Sequence, residues 1–218
     1  LLREDDPAEW DKLIDDAIAT FDPDDSWHLV SLLLDDDPIS RRRGLFIFGE
    51  LGKKGFAVLD YALVSVTDPD PMARNSVMEG VLSHRLSPAQ AREVLKLADD
   101  PEELVRGKVV ASLGAADPAT IRAAIDLVNG PRRSEFENAI LLFEADPSSA
   151  QALFDHALKE VSVASTFALA SIERMARRGR LQSAPTFDGN GFLGDAVRAN
   201  TARLIRRAIR KRESGRSV

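Results

Sequence analysis

The residues of this chain with chemistry to offer are its histidines, its clustered carboxylates and its clustered arginines. The histidines are His28, His84 and His156. None has a second histidine three or four residues away, the spacing that sets two imidazoles on one helix face around zinc, and the chain has no cysteine to supply thiolates. Asp35, Asp36 and Asp37 form the densest carboxylate run. A catalytic carboxylate pair needs one member held in a pocket with a raised pKa. An acidic run just ahead of a helix is already accounted for by the positive end of the helix dipole. Gly49-Glu50-Leu51-Gly52-Lys53-Lys54-Gly55 has glycines and lysines but neither the spacing of a phosphate-binding loop nor a preceding strand. These readings predict no catalytic residue, no metal site and no cofactor, and a chain that is not an enzyme.

The arginines are a sharper case. Arg198, Arg203, Arg206, Arg207, Arg210, Lys211 and Arg212 fall on one expected helix, and Arg174, Arg177, Arg178 and Arg180 close the helix before it. Such a stripe could neutralise phosphates, with Arg203, Arg206, Arg207 and Arg210 as the phosphate-binding set. No aromatic residues interleave with it for base stacking. The other reading is a polar cap on the end of the domain. Between the two basic groups, Asp188-Gly189-Asn190-Gly191 has residues of a calcium loop. With Asp188 at the third loop position, Thr186 stands at the first and Val197 at the twelfth, so the first ligand and the bidentate Glu are both missing.

These residues must be positioned by something, and the composition says it is helices. The chain has 218 residues, 44% hydrophobic and 29% charged, with 6% aromatic, which fits a folded chain and not a disordered one. No apolar run approaches the roughly 18 residues needed to cross a bilayer, so no membrane partner is expected. The absence of cysteine fits a reducing compartment, and a cytoplasmic location is expected. The net charge of −6 conceals a gradient: residues 1–37 hold 13 acids against two bases, a net −11, and residues 173–218 hold 12 bases against four acids, a net +8. An asymmetry of this kind suggests charged partners.

Residues 100–130 read as one helical hairpin. Asp100 and Pro101 open a helix with Leu104, Val105, Val109 and Leu113 on its inner face and Gly114 near its end. Asp117 and Pro118 open a second with Ile121, Ala124, Ile125 and Val128 inward. A capping Asp, Pro at the first helical position and Gly past the end are helix punctuation. The same reading predicts helices over 7–21, 26–34, 38–52, 55–66, 71–85, 88–99, 134–145, 147–160, 162–179 and about 195–213, with an irregular segment over 181–194. Trp10 and Trp27 fall at apolar positions and are expected in the core or at a helix cap. No alternating run bounded by hairpin turns is present, so the fold class is all-α.

Asp-Pro openings at Asp37, Asp70 and Asp100 lie 33 and 30 residues apart, and a period of this size marks stacked helical pairs. Counted in twos the pairs are 7–34, 38–66, 71–99, 101–130, 134–160 and 162–213. Asp70-Pro71-Met72-Ala73-Arg74, the run from Asp100 to Arg106, and Leu113-Gly114, echoed by Glu50-Leu51-Gly52, resemble HEAT repeats over roughly 37–160. Leu82-Ser83 stands where the repeat has Leu-Gly, and 134–145 lacks the opening Asp-Pro. The resemblance implies a right-handed α-solenoid of about six antiparallel helix pairs forming one domain over 1–218. It would have an acidic N-terminal unit (1–37), core repeats (38–160) and a basic C-terminal unit (161–218). In that family the second helix of each pair lines the concave binding face. The resemblance therefore implies a partner-binding set of Asp60, Tyr61, Glu93, Lys96, Arg122, Asp126, Asp155 and His156, polar or amphipathic positions off the apolar stripes.

The function expected is a non-catalytic protein-binding scaffold of the inhibitor, immunity or adaptor kind. Its partner is another protein, cationic where it meets the acidic end. The alternative is nucleic-acid binding through the C-terminal arginines, with a DNA-glycosylase-like enzyme a distant third.

Overall fold

The computed structural model of the chain describes residues 7–157 and 159–181. The expected loop 181–194 beyond its first residue, the helix 195–213, and Arg203, Arg206, Arg207 and Arg210 lie outside the described residues. Within them the chain is helical and holds no strand. The helices are α1 (Pro7–Thr20), α2 (Trp27–Leu33), α3 (Pro38–Glu50), α4 (Leu59–Ala62), α5 (Pro71–Val81), α6 (Pro88–Leu95), α7 (Glu103–Ala115), α8 (Pro118–Asp126), α9 (Arg132–Phe143), α10 (Ala150–Ala157) and α11 (Val163–Arg177). Short 3₁₀ segments occupy Pro23–Asp25, Gly52–Val58, Leu63–Thr67 and Pro147–Ser149. Two compact units divide between His84 and Arg85.

Local hydrogen bonds place most helix starts. The Asp37 carboxylate accepts from the Ser40 N–H, Asp70 from Met72 and Asp117 from Ala119, each followed by Pro at the first turn. Ser87 with Gln90, and Ser162 with Ser165, form reciprocal capping boxes. Two expectations fail here. Asp100 does not cap a helix beginning at Pro101: α7 starts at Glu103, and Asp100 is buried, its Oδ1 accepting from the Glu102 N–H at 2.8 Å. The single helix expected over 55–66 is α4 flanked by 3₁₀ turns. Gly52 takes φ +53°, and Gly55 lies so close to the Phe48 ring that an added Cβ would stand 3.2 Å from it. The β-branched Val58, Val64, Val66 and Thr67 further disfavour regular α geometry.

Buried Asp100 belongs to a recurring device. Arg106 Nη1 donates to the main-chain oxygens of Asp100 and Pro101, at 2.5 and 2.7 Å. Arg74 Nη1 does the same to Asp68 and Pro69, at 2.8 and 3.2 Å. Arg41 Nη1 does it to Asp35 and Asp36, at 2.7 and 3.3 Å. Each arginine lies six residues after the aspartate whose carbonyl it holds, so the repeat runs Asp35, Asp68, Asp100, with spacings of 33 and 32 residues. The true phase is thus set by the turn the guanidinium staples and not by the Asp-Pro pair. Hydrogen bonds of a charged donor are each worth roughly 1.5–3 kcal/mol. Arg41 also reaches forward, its Nε meeting Asp68 Oδ2 at 2.7 Å and so joining one stapled turn to the next.

In unit 1, α3 packs on α5 and α2, and the core is Leu33, Leu45, Phe48, Val58, Leu59, Ala62, Val77 and Met78. Phe48 fills its space so fully that a Cβ on Gly80 would stand 2.2 Å from its ring. In unit 2, α11 is the central element, packed on α7, α9 and α10. Small residues along it (Ala168, Ala170, Ser171 and Ala176) allow close approach, and Gly114 of α7 meets Glu173 there. The Phe167 ring lies 6.1 Å, centroid to centroid, from each of Phe136 and Phe143. The end of α9 is tied down by α11: the Phe143 carbonyl accepts from Ser171 Oγ at 2.9 Å and from Arg174 Nη2 at 2.7 Å, and the Arg174 guanidinium lies 4.7 Å from the Phe143 ring centre.

Several residues expected inside are outside. Leu104 is 60% exposed, because Val105, Val109 and Leu113 centre the buried arc of α7 and Leu104 falls roughly 140° round from its middle. Trp27 is 60% exposed; Leu29 and Leu33 are the inward residues of α2. Elsewhere the large apolar residues Ile39, Phe46, Phe56, Met72, Leu82 and Leu141 stand exposed. The side chain of Trp10 lies outside the described residues.

Candidate interaction surface

The eight expected partner-binding residues fall on both units. Asp60 and Tyr61 are exposed on α4 of unit 1. The others are in unit 2, where most are paired with neighbours. Glu93 takes hydrogen bonds from Arg92, at 2.6 and 3.0 Å, and from Lys96. Burial pushes the Glu93 carboxyl up, but these partners outweigh it and hold the group below its ordinary value. Arg122 forms a two-pronged pair with Glu144, its Nε 2.6 Å from Oε1, and hydrogen bonding to Glu144 holds the guanidinium pKa above its usual value. Asp126 accepts from Arg133 at 3.2 Å and Asp155 from Gln151 at 2.8 Å. His156 is half-buried near the end of α10. α6 packs on α8 and α8 on α9, so Glu93, Lys96, Arg122 and Asp126 lie on adjoining elements. Their charges compensate one another, and exposed pairs of this kind contribute little to stability. Among the described residues no group of three metal-ligating side chains comes together, and no helix is long and apolar enough to cross a membrane.

Unit 1 presents a different surface. Along Gly52–Thr67 the exposed residues Phe56, Asp60, Tyr61, Val64 and Thr67 recur at three- to four-residue steps and so share a face. Phe56 is 60% exposed, Tyr61 44% and Val64 64%. On α2 and its C-cap the exposed Trp27, Ser31 and Leu34 are spaced four and three apart, again on one face. The Trp27 ring lies against that of His28, centroids 3.4 Å apart. α2 packs beside α4, and the Pro23–Asp25 turn packs on Gly52–Val58. The two faces therefore belong to neighbouring elements of one unit.

Beneath this surface, His84 is half-buried between Phe56, 5.7 Å away, and Phe48, 6.5 Å away, centroid to centroid. Its Nε2 is buried with no hydrogen-bond partner, and burial pushes the imidazole pKa below its usual value. A neutral ring is what this setting favours, since protonation would leave a desolvated charge. His84 packs beneath the surface, against Phe56 and Phe48.

Sequence reading placed Tyr61 and Asp60 on the surface and missed Trp27, Phe56 and Val64. The structure shortens the helix expected over 26–34 to seven residues, whose inward stripe is filled by Leu29 and Leu33. Comparison with protein-family models, with curated proteins and with solved structures finds no match to this chain.

Proposed function

We propose that the protein is a non-catalytic protein-binding scaffold of the inhibitor, immunity or adaptor kind, built as a HEAT-like α-solenoid, and that it engages a charged protein partner. The observation that carries this reading is the exposure of Trp27, Phe56, Tyr61 and Val64 on adjoining elements of unit 1. Solvent-facing aromatic residues clustered with aliphatic ones are the usual anchors of protein interfaces. The stapled repeat of Asp35/Arg41, Asp68/Arg74 and Asp100/Arg106 supports the solenoid part of the reading.

The test is affinity capture from nuclease-treated lysate of the source cells, washed at low and then moderate salt, with the wild-type chain and Phe56→Ala/Tyr61→Ala side by side. A single protein held in stoichiometric amount by the wild type at both salts, and lost by the variant, is the expected result. Retention unchanged in the variant removes this surface from the proposal.

A second reading, nucleic-acid binding, is favoured by the net +8 of residues 173–218. It predicts retention of nucleic acid when nuclease is omitted, steep loss with salt, and disappearance when Arg203, Arg206, Arg207 and Arg210 are changed to Gln.

A further inference from the structure

Resting on the scaffold reading, we infer that the face formed by α2 and Gly52–Thr67 is a docking site for an arginine-rich segment of the partner protein. Two independent features of this face converge on that chemistry. The first is its exposed aromatic set, Trp27, Phe56 and Tyr61, each offering a ring to solvent. A guanidinium is the cation best matched to such rings, since it is planar, weakly hydrated and stacks on aromatic faces. The second is charge. Residues 22–36 and 52–67, which include both elements and the turn packed on them, carry six carboxylates against Lys53 and Lys54, with the Arg41 guanidinium also held on the Asp35 and Asp36 carbonyls. Asp24 and Asp25 are exposed on the Pro23–Asp25 turn that lies against Gly52–Val58, and Asp36 is exposed just beyond the end of α2. An apolar partner would gain nothing from these carboxylates, and an acidic one would be repelled by them. Those charges lengthen the reach of the encounter, and the rings then select guanidinium over ammonium.

The probe is a fluorescein-labelled octa-arginine peptide titrated into the full chain at moderate salt, with octa-lysine and octa-citrulline peptides as controls. Octa-arginine should saturate at one site, bind several-fold tighter than octa-lysine, and leave octa-citrulline unbound. Trp27→Ala/Tyr61→Ala should weaken octa-arginine by about tenfold with the net charge unchanged. Asp24→Asn/Asp25→Asn should weaken both cationic peptides together and flatten the salt dependence. All these positions are exposed, so helical circular dichroism and the urea midpoint should match the wild type and separate lost binding from lost folding.

Equal affinity for octa-arginine and octa-lysine, unaffected by Trp27→Ala/Tyr61→Ala, would reduce the effect to diffuse electrostatics and overturn the inference. So would a wild-type dimer in sedimentation that the aromatic double variant abolishes, since the occupant would then be a second copy of the chain. If a captured partner depends on Phe56 and Tyr61 but octa-arginine neither binds nor displaces it, the scaffold reading stands and the arginine assignment falls.

Discussion

Among the described residues, unit 1 leaves nine large apolar side chains exposed, four of them aromatic, whereas unit 2 leaves four, all aliphatic. Unit 2 instead covers itself with compensating charges, Arg122 with Glu144, Arg133 with Asp126 and Glu137, and Arg132 with Asp99. Both units use capped helices and an arginine-stapled turn. The difference lies in their central elements. α11 of unit 2 is fifteen residues long and contacts three other helices, so it buries nearly all its length. In unit 1 the seven-residue α2 and the irregular Gly52–Thr67 leave Trp27, Phe56, Tyr61 and Val64 exposed among the described residues. The comparison teaches that the stapled turns are compatible with two kinds of surface, one with large apolar side chains exposed and one covered by ion pairs.

The largest effect expected from this contrast is between two phenylalanines of unit 1. Phe48→Ala should cost about 3–5 kcal/mol in urea unfolding, since its ring is fully buried and leaves a cavity. Phe56→Ala should stay within about 0.5 kcal/mol. A similar loss at both positions would mean the outer face of unit 1 is structural, and the contrast would break.

A second pair compares close packing in the two units. Gly80→Ala drives a Cβ to 2.2 Å from the Phe48 ring, and should destabilise by about 1–3 kcal/mol as the ring is displaced. Gly114→Ala brings its Cβ to 3.0 Å from Glu173 Cβ and 3.2 Å from the Ala170 carbonyl, and should cost less, because a shift of a few tenths of an ångström suffices. Urea midpoints of the two variants decide the order.

Acid should act on the two units in opposite directions. Burial lowers the His84 pKa from 6.5, so its contribution to stability is present above about pH 6.5 and is lost as pH falls through the lower folded value. Burial raises the Glu173 carboxyl, against the opposing pull of Arg177, whose Nε and Nη2 donate to its Oε1 at 2.8 and 2.5 Å. Its favourable contribution is present below the unfolded value near 4.3 and is lost as pH rises through the raised folded one. Urea titrations between pH 4 and 7.5 should therefore show His84→Gln flattening an acid-side loss of stability. Glu173→Gln should raise the midpoint at pH 7 and leave it unchanged at pH 4. A lower midpoint for Glu173→Gln at pH 7 would show that the pair with Arg177 outweighs the burial of its charge.

The smallest effect is expected at the charged positions of unit 2. Arg122→Ala should leave the melting temperature unchanged, because its pair with Glu144 is exposed to water. A clear drop would sharpen the comparison by showing that the paired surface of unit 2 supports its fold.

Helix starts at Asp37, Asp70 and Asp117 and the all-helical class of the described residues were legible in the sequence itself. Each depends on hydrogen bonds or spacings within a few residues, and local chemistry fixes those wherever the segment lies. The sequence also marked Asp60, Tyr61, Glu93, Lys96, Arg122, Asp126, Asp155 and His156 as off the apolar stripes, and among them His156 and Glu93 are half-buried. Only the tertiary structure decided which apolar residues face out. A helix buries just the arc its neighbours cover, and α2 and Gly52–Thr67 are covered on one side, which turns Trp27, Phe56 and Val64 to solvent. It alone showed that Asp100 is a buried partner of a stapled turn and not a helix cap, because a guanidinium six residues on reaches that turn only when α7 begins at Glu103.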